Sequence, residues 1–279
     1  MALTAPSRSG DPWEFLAAHG DRLRIVPDRG GLVTGWRCQG PWGEQEILYF
    51  DAERFADPSK SVRGGIPVLF PICGGLPGSQ LPQHGFARDL PWQIEELADG
   101  SGVRLSLTDS PETLALFPHP FRLQLELRPE PQALAIRARV SHAGAPDQAP
   151  LPFSLGLHPY FAVADLNAVR LSGLPAEALD QAAGVSARTA DLLNRLPDGV
   201  DLLAGPAATV RLEAGSHAVT LETSAPLDLA VVWTDPPRPM VCLEPWTAGR
   251  GALNSGERLL MVQPGESLEL SCRYRVEAL

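Results

Sequence analysis

Apolar and polar residues alternate with period two through much of the chain. Phe121, Leu123, Leu125 and Leu127 are interleaved with Arg122, Gln124, Glu126 and Arg128. Leu134, Ile136, Ala138 and Val140 are interleaved with Ala135, Arg137 and Arg139, and Pro-Glu-Pro-Gln at 129–132 separates the two runs. Such a pattern turns one strand face to a core and the other to water, so it predicts an antiparallel hairpin. Leu268, Leu270, Cys272, Tyr274 and Val276 predict a closing strand in the same way. Shorter strands are expected at 22–26, 32–38, 45–50, 102–108, 208–213, 217–223 and 227–234. One helix is expected from Asp11, with Pro12 at its first position, Glu14 at its third and Gly20 as its stop.

Many short strands punctuated by 26 glycines and 28 prolines predict an all-β fold, a sandwich or barrel. The segments 141–152 and 172–207 are rich in Ala, Gly, Pro and Asp. The strand pattern resumes after each, so both are expected to be long surface loops of a single domain spanning 1–279.

Composition narrows function mainly by exclusion. A net charge of −10 argues against nucleic acid. No apolar run is long enough to span a bilayer, and the first fifteen residues lack the apolar core of a signal peptide. Cys38, Cys73, Cys242 and Cys272 are far apart in sequence, which fits reduced thiols and a cytoplasmic location. A monomer is favoured. Lys60 is the only lysine, and Gly74-Gly75-Leu76-Pro77-Gly78 lacks the lysine of a phosphate-binding loop. Neither a dinucleotide fingerprint, a Ser elbow, nor a paired His or Cys metal motif is present in the sequence.

Four stretches place titratable groups in apolar or proline-fixed surroundings. They are Arg63-Gly64-Gly65-Ile66-Pro67-Val68-Leu69-Phe70-Pro71; Gln83-His84-Gly85-Phe86-Ala87-Arg88; Leu155-Gly156-Leu157-His158-Pro159-Tyr160-Phe161; and Val241-Cys242-Leu243-Glu244-Pro245-Trp246. Taken singly, a turn arginine, a loop histidine or an inert core histidine accounts for the first three. Glu244 is the odd one, because a glutamate is almost never buried without a partner. His158 and Glu244 each precede a proline, which holds both in extended backbone. Burial would lower the histidine pKa and raise the glutamate pKa, so the two are candidates for proton transfer.

In this order the four motifs resemble the galactose mutarotase-like superfamily, and within it the hexose-6-phosphate 1-epimerases. The closing stretch Gln263–Val276 (QPGESLELSCRYRV) is similar too, so the resemblance runs from about residue 20 to the end. It implies a large antiparallel β-sandwich with a sugar cleft on one sheet face. It also implies interconversion of the α and β anomers of an aldohexose, with neither cofactor nor metal. Glu244 would be the general base at the C1 hydroxyl and His158 the general acid at the ring oxygen. His84 would hydrogen-bond the sugar, and Arg63 and Arg88 would grip a 6-phosphate. The family carries a cleft Asp in a segment like T-D-R-V-Y. Gly199-Val200-Asp201-Leu202-Leu203 is similar but lacks its arginine and tyrosine, so Asp201 is the candidate and Asp198 the competitor. A mutarotase for unphosphorylated aldoses and a non-catalytic sugar-binding protein remain the alternatives.

Overall fold

The computed structural model describes residues 2–6 and 11–279. Two eight-stranded antiparallel sheets dominate it. The back sheet runs Arg170–Ser172, Thr209–Glu213, His217–Thr223, Ser267–Ala278, Ala133–His142, Phe121–Glu130, Val103–Thr108 and Gln93–Glu96, in spatial order. The front sheet runs Val185–Arg188, Glu177–Asp180, Asp201–Ala204, Leu229–Trp233, Met240–Trp246, Gly156–Leu157 and Val68–Leu69, with Tyr160–Ala162 also paired to Met240–Trp246. A five-stranded sheet, from Leu3–Thr4 to Gly43–Glu46, and a two-stranded pair complete the strands. No helix among the described residues is long and apolar enough to cross a membrane.

The alternating pattern sets which faces meet. Leu123, Leu125, Leu127, Leu134, Ile136, Tyr274 and Val276 of the back sheet share one buried cluster with Leu202, Val232, Val241 and Leu243 of the front sheet. Tyr274 ties the layers together: its ring lies 5.2 Å from that of Phe161 and its hydroxyl donates to the Leu243 carbonyl at 3.1 Å. The odd-facing residues of the front strands, Val231, Trp233, Glu244 and Trp246, therefore point away from this core and carry the site. All four cysteines are buried and unpaired.

Two expectations need correction. The stretch expected to be a helix from Asp11 to Gly20 instead forms the strand Trp13–Leu16, paired on both sides. Its Trp13/Phe15 and Glu14/Leu16 alternation buries Phe15 fully, and sheet pairing outweighs the local capping signal. The segment 172–207, expected to be loop, contributes Glu177–Asp180, Val185–Arg188 and Asp201–Ala204 to the front sheet and the short helix Thr189–Leu193. Its strands are short and exposed on one side, so the hydrophobic signal was thin. The 121–140 hairpin is tighter than expected, with strands reaching Glu130 and Ala133 and Gln132 at φ 58° in the turn.

Candidate active site

His158 sits in the break between the strands Gly156–Leu157 and Tyr160–Ala162, where its backbone N–H donates to the Pro67 carbonyl at 2.9 Å. Glu244 lies inside the neighbouring strand, opposite Val231. The two side chains meet: His158 Nδ1 is 3.4 Å from Glu244 Oε1. Glu244 is 1% exposed and its other oxygen, Oε2, accepts a hydrogen bond from Trp246 Nε1 at 3.0 Å. The His158 ring stacks on Tyr160 at 4.8 Å and meets the edges of His84 and Trp233.

Burial drives these groups toward neutrality. It raises the Glu244 carboxyl well above its ordinary value, opposed by the Trp246 hydrogen bond. It lowers His158 well below the ordinary imidazole value, helped by His84 and Arg88. A neutral histidine with a protonated glutamate differs from an ion pair only by moving one proton across the gap. The protonation of each group therefore bears on that of the other. Cys242 is the third potential metal ligand beside them, all three ligand atoms lying within 4.8 Å of one another. Burial pushes its thiol well above the ordinary value and keeps it protonated, which makes it a poor ligand at neutral pH.

His84 occupies the left-handed region at φ 68°, and Gly85 follows at φ 71°. A side chain on Gly85 would strike the Phe70 carbonyl at 2.1 Å, so glycine is needed for this turn. The turn aims the imidazole at the cleft, and His84 Nδ1 accepts from the Gly74 backbone N–H at 3.0 Å. That fixes the proton on Nε2 and leaves a donor there. Burial, then Arg88, Arg250 and Arg63, push the His84 pKa down to about 3.

Arg63 and Arg88 line the same cleft. Arg63 donates through Nε to Asp235 at 3.0 Å and through Nη1 to the Ser61 hydroxyl at 3.0 Å, and it lies over the Trp233 ring. Arg88 donates to the Gln83 carbonyl at 2.8 Å. Asp201 also lines the cleft, held by Arg250 at 2.6 Å and Gln181 at 2.8 Å. Asp198 lies in the preceding turn and is not part of the lining. Together these residues line one solvent-open cleft.

Several lining residues escaped the sequence reading. Trp233, Tyr160, Arg250, Gln83 and Ser61 are among them. Tyr160 lay within a quoted motif, and Trp233 follows the outward alternation of its strand, which could have flagged it. Arg250, between two glycines, carried no usable signal. Phe86 is core: its ring stacks on Phe121 at 5.7 Å.

Comparison with known proteins agrees with this fold. The chain matches the family described as aldose 1-epimerase over residues 16–275. A protein of Escherichia coli K12 provisionally named glucose-6-phosphate 1-epimerase is 31% identical over 156 residues, 55% of this chain and 49% of that protein. One from Cenchrus ciliaris with the same name is 33% identical over 154 residues, 52% of this chain and 45% of that protein. The matched region thus spans about half the length of these curated relatives. The crystal structure of the Slr1438 protein from Synechocystis sp. PCC 6803 superposes with a TM-score of 0.88 at 36% identity, covering 99% of both chains. A galactose mutarotase related enzyme from Lactobacillus acidophilus shares the fold with a TM-score of 0.73 at 16% identity, covering 99% of this chain and 97% of that one. With the two-sheet fold and a match over nearly its whole length, the chain belongs to the aldose 1-epimerase family.

Proposed function

We propose that the chain is an isomerase that interconverts the α and β anomers of an aldohexose 6-phosphate. The observation that carries this reading is the buried His158–Glu244 pair, 3.4 Å apart in a cleft lined by Arg63 and Arg88. Glu244 takes the proton from the C1 hydroxyl while His158 gives one to the ring oxygen. The bond from C1 to the ring oxygen breaks and C1 becomes an aldehyde. Rotation about C1–C2 turns its other face to the attacking hydroxyl, and the reverse transfers close the second anomer. One proton enters the pair and one leaves, so the pair's total proton count is unchanged by the step. His84 Nε2–H donates to a sugar oxygen, and Asp201 accepts from a sugar hydroxyl. Two guanidiniums can each offer a two-pronged donor to a phosphate. The provisional name of the Escherichia coli relative points to the same substrate.

A mutarotase for unphosphorylated aldoses is the second reading. It is favoured by the pairing of Arg63 with Asp235, which offsets part of the positive charge a phosphate would meet. Magnetisation-exchange NMR on glucose 6-phosphate and on glucose, at equal concentration, separates the two. The proposal expects faster anomer exchange for the phosphosugar. Acceleration of free glucose alone would overturn the phosphate assignment.

A further inference from the structure

Two motifs meet at a contact that the proton-transfer scheme does not use. Gly156 and Trp246 are direct partners across adjacent front-sheet strands. The indole closes on the glycine: a Cβ on Gly156 would fall 2.6 Å from Trp246 Cδ1, 3.0 Å from Nε1 and 3.0 Å from Cys73 Sγ. The 2.6 Å approach is shorter than real Cβ contacts, so a side chain here forces the indole to shift. The indole is 1% exposed and its Nε1–H points at Glu244 Oε2, 3.0 Å away. An indole N–H is a donor only, so it can satisfy a carboxylate oxygen in either protonation state but favours the ionised one.

We infer that Trp246 is a positioning residue for Glu244, and that Gly156 is glycine to let the indole reach it. Rotation of the Glu244 carboxylate is fixed by this one bond. With Oε2 engaged, Oε1 is the oxygen left facing His158 and the cleft. The bond also works against burial, which favours the uncharged acid. The charged groups acting on Glu244 are Asp201 and Arg250, which oppose each other, while burial biases His158, 3.4 Å away, toward its neutral form. The thiols of Cys73 and Cys242 and the hydroxyls of Tyr160 and Tyr274 are neutral neighbours, each held protonated by burial. Among these, Trp246 alone donates a hydrogen bond to the carboxylate.

The inference rests on Glu244 as the general base, but its decisive readout does not need turnover. Label the glutamate side chains with 13C, assign Glu244 as the signal lost in Glu244→Gln, and follow its carboxyl resonance with pH in the free protein. Trp246→Phe keeps an aromatic ring and removes the donor. Gly156→Ala keeps the donor and pushes the indole away. Both variants are expected to move the Glu244 midpoint upward, by about one pH unit in Trp246→Phe. In both, kcat should fall by at least tenfold with KM changed less than threefold. Circular dichroism confirms that each variant folds, and either one suffices if the other does not. An unchanged Glu244 midpoint in a folded variant overturns the positioning role, even if Glu244→Gln is inactive. A shifted midpoint with a fully active Glu244→Gln would instead uphold the bond and overturn Glu244 as base.

Discussion

His158 Nδ1 faces Glu244 Oε1 across 3.4 Å, yet neither side chain is arranged as a stable ion pair. Burial lowers the imidazole and raises the carboxyl, so each is biased toward its uncharged form. A site that moves protons to and from neutral hydroxyls benefits from that poise, because neither group is locked into one protonation state.

The same burial makes Glu244 a stability cost at neutral pH. Its folded pKa lies above the unfolded value of 4.5, so its contribution is fully present below that pH. The contribution is lost as pH rises through the folded pKa. Glu244→Gln, which keeps the shape and cannot ionise, should therefore raise Tm at pH 7–8 relative to wild type, with little difference at pH 4. Thermal melts at the two pH values test this. Equal Tm differences at both would contradict the assigned direction.

His84 has the opposite consequence on the acid side. Its pKa is about 3 in the folded chain against 6.5 for a free imidazole. Between those values the unfolded state binds the extra proton, so stability falls as pH drops from about 6.5 toward 3. His84→Gln should flatten this acid limb of the stability profile. A limb of unchanged slope in denaturant titrations from pH 7 to pH 4 would show that other groups cause it.

Arg88 is largely buried, and its Nη2 donates to the Gln83 carbonyl. If its remaining donors meet a phosphate, Arg88→Ala should raise KM for glucose 6-phosphate by roughly 10- to 150-fold, the effect of losing a charge-assisted contact of about 1.5–3 kcal/mol. Exchange of free glucose should change little. Comparable losses on both sugars in steady-state assays would place Arg88 outside phosphate recognition.

Gly85 follows the left-handed His84 and packs onto the Phe70 carbonyl. Gly85→Ala should cost at least about 1–3 kcal/mol through backbone strain alone. Calorimetry should show a Tm lower by several degrees. A variant as stable as wild type would mean the turn can relax.

The sheets were legible in the sequence where strands are long and buried on one face, as at 121–140 and 267–278. They were hidden where strands are short and rich in small residues, as at 177–188. The extended backbone at Glu244 could be read from sequence, because Pro245 restricts the preceding residue whatever the tertiary context. Nothing local could show that His158 and Glu244 meet, since their contact depends on the pairing of separate strands. The Arg63–Asp235 and Arg250–Asp201 pairs were illegible for the same reason. Trp246 was visible as a residue, but its role depends on which atom its N–H reaches.

The central claim is that His158 and Glu244 together carry anomer exchange. Its most direct test is the α–β exchange rate of glucose 6-phosphate, read by magnetisation-exchange NMR, for wild type, His158→Gln, Glu244→Gln and the double variant. The proposed mechanism predicts a loss of roughly 10²- to 10⁴-fold in each single variant, and little further loss in the double, because the two groups act in one step. Wild-type rates in either single variant would contradict it.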